Sequence, residues 1–235
     1  MRPDCPAIVR GLFPDTPAYT APMDPLARHL LAHAYNNAWA NHRLLGACAR
    51  LTQAEFEAVR VGFFPSIRAT LNHTYTVDLY YIDSIERGLR GAPPNPDWLS
   101  FFDPEVPFDR CADLAAEQRA SDRRLIALCE PLDARRRARS IGVPRRERVE
   151  SEPLHRLLAH LFEHQTHHRG QAHAMLSGTA VAPPQLDEFF CSGPGDTALR
   201  AQDFRALGFS EAAIWGETEP SAAAGAESGA ATSAE

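Results

Sequence analysis

The sequence predicts an all-α protein, a four-helix bundle with short extra helices at its C-terminal end. Three observations predict it. Four long segments repeat apolar residues at steps of three and four. The stretches between them are rich in Pro, Gly and charge and carry no convincing strand alternation. The 235 residues suit one helical core with appendages, and they contain no internal repeat.

The elements follow in order. Residues 1–22 are proline-rich without helical periodicity and are expected to form a flexible arm. Met23, a second candidate start, precedes Asp24, a good helix N-cap, and the bundle is expected to span 23–216. The first helix runs over about 25–50, with Ala27, Leu30, Leu31, Ala34, Ala38 and Leu45 at helical spacing. Thr52-Gln-Ala-Glu55 reads as a capping box opening a short helix. A second long helix is predicted over 66–87, with Gly88 as its C-terminal glycine. Five prolines break residues 91–108 into a loop. The third long helix starts near Asp109 and ends before Pro131. Residues 133–150 are arginine-rich and have room for a short hairpin, though they are too polar to read as strands. The fourth long helix is predicted from just after Ser151 to about Gly178, with Pro153 in its first turn. Short helices are predicted over 197–207 and from Ser210 to Trp215. Residues 217–235 are mostly small and polar and are expected to be disordered.

Composition narrows the function classes. A formal net charge of -6 gives nucleic-acid binding no global support. Arg135, Arg136, Arg137, Arg139, Arg145, Arg146 and Arg148 read as a solvated charged segment. The five cysteines are scattered and form no CxxC, which argues against a disulfide framework and a thiolate zinc site. That usage fits a reducing compartment. No apolar run is long enough for a membrane, and no signal peptide is visible, so the cytoplasm is the expected location.

Ten histidines are present, and five crowd one predicted helix: His160, His164, His167, His168 and His173. The inward stripe of that helix runs Leu154, Leu157, Leu161, then His164, His168, Gln171 and Met175. Two imidazoles one turn apart on one face converge on a point, a standard way for a helix to supply two metal ligands. A lone buried histidine is more often a hydrogen-bonded packing residue; a pair on a core stripe divides evenly between the two roles. A third ligand must come from another helix. His73, on a face with Ile67, Thr70, Val77 and Tyr80, is the best candidate, and His29, His33 and His42 are rivals. Three neutral imidazoles suit zinc or nickel and leave coordination positions open, the pattern of a catalytic site. His160 and His167 lie beside the stripe. Gly170 inside the helix implies close helix packing or room for a ligand.

His164-Gln-Thr-His-His-Arg-Gly-Gln171 resembles the signature of the DinB-like family of metalloenzymes. Tyr35-Asn-Asn-Ala-Trp-Ala-Asn-His-Arg-Leu-Leu45 is similar to that family's opening helix. Leu71-Asn-His73, followed by Leu79-Tyr-Tyr81, resembles its first ligand segment, and Pro184 through Trp215 its tail. The resemblance spans about residues 24–216. It implies a DinB/YfiT-type four-helix bundle, usually a homodimer, with one divalent metal ion on His73, His164 and His168. Glu163 departs from the asparagine often found before the second ligand.

Relatives of this fold include thiol-dependent S-transferases. The expected function is therefore a metal-dependent transfer of a low-molecular-weight thiol to small-molecule electrophiles, with no nucleic acid or membrane as partner. A metal-dependent hydrolase and a non-catalytic metal-binding protein are the alternatives. Tyr80, Glu163, His167 and Gln171 are candidates to support the ligands, and no general base is assigned.

Overall fold

The computed structural model describes residues 23–216; the arm expected at 1–22 and the tail expected at 217–235 lie outside the described residues. The elements are α1 (Pro25–Cys48), α2 (Gln53–Glu57), α3 (Ile67–Arg90), a 3₁₀ turn (Trp98–Phe102), α4 (Cys111–Cys129), α5 (Ala134–Arg137), β1 (Ser140–Pro144), β2 (Val149–Pro153), α6 (Leu154–Leu176), α7 (Pro194–Leu207) and α8 (Glu211–Trp215). The four long helices α1, α3, α4 and α6 form the predicted bundle.

Local chemistry sets the helix starts. The Asp24 side chain accepts from the backbone N–H groups of Leu26 and Ala27, and Pro25 fills the first position, where a missing N–H costs nothing. Thr52 and Glu55 form the expected capping box. Ser66 accepts from Ala69 N–H and starts α3. Ser210 does the same for α8 through Ala213 N–H.

Some boundaries differ from the sequence reading; α7, for one, starts at Pro194 rather than at 197. α3 continues past Gly88 to Arg90, and the left-handed cap is Gly91, at φ 73°. Gly88 is instead a contact point: a Cβ there would lie 2.7 Å from Ile141 Cδ1 of β1. α6 begins at Leu154, because residues 149–153 form β2, paired antiparallel with β1 from Ser140↔Pro153 to Pro144↔Val149. Only Ile141, Val143 and Pro144 of the hairpin are buried, so its alternation is carried by one strand.

Side-chain contacts give the helix directions. Asn72, Asp78 and Glu86 of α3 meet Phe108, Gln118 and Arg124 in rising order, so α3 and α4 run parallel. His33 of α1 stacks on Phe162 and Asn41 bonds Arg169, so α1 and α6 run parallel too. Leu45 pairs with Cys111 and Asn41 with Asp122, which makes α1 and α4 antiparallel. His73 meets His164 and Tyr81 meets His160, which makes α3 and α6 antiparallel. Parallel neighbours joined in sequence need a return connection as long as the helix, roughly 36 Å for 24 residues. The proline-rich segment between α3 and α4 is that connection. It lies along α3, with Trp98 and Phe102 on Tyr80 and Phe108 on Tyr75.

The core is small-residue-rich on α1 and leucine-rich on α6, with Trp39 fully buried. The C-terminal segment closes one side: Phe189 packs on Trp39, and Asp203 accepts from Trp39 Nε1 at 3.1 Å. Cys48, Cys111 and Cys129 are buried thiols; Cys191 is exposed. No helix among the described residues is long and apolar enough to cross a membrane.

Gly91→Ala should lower unfolding free energy by about 1–2 kcal/mol, the cost of a Cβ in the left-handed region. Urea denaturation of the variant against wild type measures it. An unchanged midpoint would mean that the α3 cap does not need its positive φ.

Candidate metal centre

Antiparallel packing of α3 on α6 brings His73 against His164 and His168. One ring nitrogen from each lies within 4.8 Å of the other two. His73 Nε2 and His164 Nε2 are 3.2 Å apart. That is close to the roughly 3.3 Å edge expected between two nitrogens on one tetrahedral zinc. Ring centroids are 4.4 Å apart for His164 and His168, and 4.7 Å for His73 and His168. His168 is buried and the other two are half-buried.

The protonation chemistry suits a cation. Burial, then the charge of His168, pulls His73 down to about 4. Burial, then His168, His73, His160 and His167 in turn, pulls His164 down to about 3. Burial also lowers His168, partly opposed by its bond to Gln171. All three rings are therefore neutral at pH 7 and offer lone pairs without a deprotonation cost. His168 Nδ1–H donates to Gln171 Oε1 at 2.9 Å, which leaves the Nε2 lone pair for the cluster. His164 Nδ1 is enclosed with no hydrogen-bond partner among the described residues.

One side of the cluster is covered by residues 58–66. Phe64 lies 4.3 Å from the His73 ring and 5.6 Å from His168, centroid to centroid. Arg60 N–H closes this loop on Pro65 O at 2.8 Å, and its guanidinium holds the carbonyls of Glu55 and Ala58. Gly62 lies against Met175, and a Cβ there would push the Met175 methyl aside. Val59, Val61 and Phe63 project from the same loop into solvent.

A family model described as the DinB family matches residues 24–194. The chain belongs to the DinB family. Among curated proteins, none matches it.

The other candidates of this DinB-family chain are distributed unevenly. Gln171 reaches His168, and its Nε2 donates to His167 Nε2 at 2.9 Å, so His167 acts through Gln171 from the exposed face. Glu163, expected near the ligands, is exposed, about 100° around α6 from His164. Tyr80 is also turned away: its hydroxyl donates to Pro144 O at 2.5 Å and receives Arg145. Tyr81, its neighbour, takes the place beside the site. Its hydroxyl is 3.1 Å from His160 Nε2, and the His160 ring is 6.4 Å from His164. Tyr81 lies two turns after His73 at steps of four, a signal present in the sequence. Phe64 left no such signal, because a loop has no period.

The rival histidines go elsewhere. His29 and His33 meet each other at 3.1 Å, and His42 is 3.8 Å from Asp203. His155 bonds Arg137 O and His173 bonds Pro184 O. Gly170 is exposed, and a Cβ there would meet nothing within 4 Å, so close helix packing does not account for it.

Behind the histidines lies a buried polar network missed by the sequence reading. Arg169, next to His168, donates to Asn37, Asn41 and Gln165. Asn37 and Asn41 also donate to Asp122 Oδ1, at 3.1 and 2.9 Å. Gln118 joins Asp122 to Asp78 Oδ2. Each long helix contributes, and all seven residues are at most 5 % exposed. Gln165 Nε2 and Asp78 Oδ1 are each enclosed without a formal partner, yet the Gln165 amide offsets part of the burial effect on Asp78. Burial pushes Asp78 up to about 7, aided by Asp122, and burial pushes Asp122 up to about 6.

These shifts make stability depend on pH. A carboxyl whose folded pKa is raised keeps a proton that the unfolded chain releases, so its contribution falls as pH rises from about 4 to about 7. The depressed histidines act oppositely between about 4 and 6.5. The difference between Asp78→Asn and wild type isolates the carboxyl. Its ΔΔG should move in favour of the variant by about 3 kcal/mol between pH 4.5 and pH 8. Urea titrations at both pH values check this; a pH-independent ΔΔG would mean that Asp78 ionises normally in the fold.

Proposed function

We propose that the protein is a metal-dependent transferase that joins a low-molecular-weight thiol to a small electrophile, with one divalent ion, zinc or nickel, on His73, His164 and His168. The observation that carries this reading is the convergence of three neutral imidazoles, one fixed in tautomer by Gln171, beneath an aromatic lip. A zinc or nickel ion bound there would supply Lewis acidity that keeps a thiol deprotonated at neutral pH.

The side chains supply the rest. Gln171 fixes the His168 ring and its proton on Nδ1. Tyr81 and His160 form a hydroxyl–imidazole pair beside His164, placed to hold or release a proton at His160 Nε2. Phe64 shields one side of the cluster from water and offers an apolar face to an electrophile. A hydrolase would use the same ligands but needs a base for water, and Glu163, the acid nearest in sequence, faces solvent.

Metal content measured by mass spectrometry, on untagged protein purified without chelator, tests the ligand set. Wild type should carry close to one ion per chain, and His73→Ala, His164→Ala and His168→Ala should carry almost none. Gln171→Leu should weaken metal affinity by about 10- to 100-fold. Transfer of cysteine to 1-chloro-2,4-dinitrobenzene should follow metal content across the set. Metal bound without transfer would leave a non-catalytic metal protein, and failure to bind metal even after reconstitution would sink the reading.

A further inference from the structure

A cavity of about 390 Å³ opens between α1, α4 and the α7–α8 connection, and none of the three histidines lines it. That volume is within the range of small-molecule sites. Small side chains make the space: Gly46 on α1 and Ala49 just past its end face Ala112 and Ala115 on α4. Further along, the wall turns polar with Asn41, Arg119, Asp122 and Arg123, and it ends in Ile126 and Phe209.

Asp122 is 4 % exposed, and its Oδ1 already accepts from Asn37, Asn41 and Gln118. Among the described residues its Oδ2 accepts from none, and that oxygen is not closed off from solvent, so it stands open to a donor in the cavity. Arg119 and Arg123, both exposed at the cavity's rim, stand one turn apart on α4 and enter no ion pair with a described residue. Two guanidinium groups so spaced suit a carboxylate, and the Asp122 oxygen beside them suits an adjacent O–H or N–H. At the small-residue end Gly46 and Ala49 are exposed, and a Cβ built on Gly46 meets nothing within 4 Å, which leaves open space beside them.

We propose that this cavity is a second ligand site, separate from the histidine cluster, for an amphipathic carboxylate with a hydroxyl or amino donor next to its acid group. The acid lies at Arg119 and Arg123, the donor at Asp122 Oδ2, and the apolar chain along Gly46, Ala49 and Ala115. This inference does not depend on the transferase reading.

Isothermal titration calorimetry on the full chain tests it, with 2-hydroxydecanoate, 2-aminodecanoate, decanoate and decan-1-ol as probes. The hydroxy or amino acid should bind at least tenfold more tightly than decanoate, and decanol should bind most weakly. Arg119→Ala combined with Arg123→Ala should remove the preference for the acids over decanol. Gly46→Leu should abolish binding by filling the apolar end. Leucine is a better helix former than glycine, so this variant should melt no lower than wild type and its loss cannot be ascribed to unfolding. Because a hydroxy acid can also chelate a metal, His73→Ala must retain binding in full. Binding lost in His73→Ala, or indifferent to Gly46→Leu and to the arginine pair, would overturn the proposal. So would a cavity closed by a second copy of the chain, seen as a dimer in sedimentation that Gly46→Leu dissociates while no probe binds.

Discussion

The fold is organised around one buried cation. Arg169 stands in the middle of the bundle, 5 % exposed, and a guanidinium withdrawn from water must have its hydrogen bonds and charge answered on the spot. Two asparagines of α1, a glutamine one turn back on α6, and two carboxyls from α3 and α4 answer it. The requirement is directional in a way that leucine packing is not. Rotating α6 by one residue would leave the apolar seam partly filled, but it would strand the guanidinium. That makes Arg169 a register pin, and His168 is the residue beside it. The angle at which His164 and His168 face α3 is thus set by a constraint outside the candidate metal centre.

The connections then decide what borders that centre. Since α3 and α4 run the same way, the chain must travel back along the bundle between them, and it spends its prolines and aromatic residues doing so against α3. The link between α1 and α3 stays at one end of the bundle and folds over the histidines as the Phe64 lip. The link from α4 to α6 forms the hairpin that carries Arg145 to Tyr80 and Tyr81 at the far flank. Helices supply the candidate ligands, while loops supply the surroundings in which a substrate would be recognised.

The same division explains what could be read from the sequence. The long helices, the Asp24 and Ser210 caps and the Thr52–Glu55 box follow from local rules and were legible. So was the histidine stripe of α6, because it interrupts a leucine pattern. The network around Arg169 was not, since Asn37, Asp78 and Arg169 look like surface residues until four helices are assembled around them. β2 was hidden for a related reason: Val-Glu-Ser-Glu-Pro becomes a strand only because β1 offers it a ladder. Gly88 and Gly91 are both plausible helix terminators, and the packing of Gly88 on Ile141 comes from a residue far away in sequence. Tyr80 and Tyr81 differ by a rotation of about 100°, finer than a stripe argument resolves without the partner helix.

The thiols carry a consequence of their own. Burial pushes Cys48 and Cys129 up to about 12 and Cys111 up to about 11, so these three remain protonated and out of contact with solvent. Thiolate, not thiol, is the form that alkylating agents attack. A catalyst of the proposed transfer would be exposed to modification by its own substrate, and three of the nucleophiles that would record such damage are locked in the interior. Self-poisoning among the described cysteines would fall on Cys191, in the segment between α6 and α7, where an adduct leaves the histidines untouched.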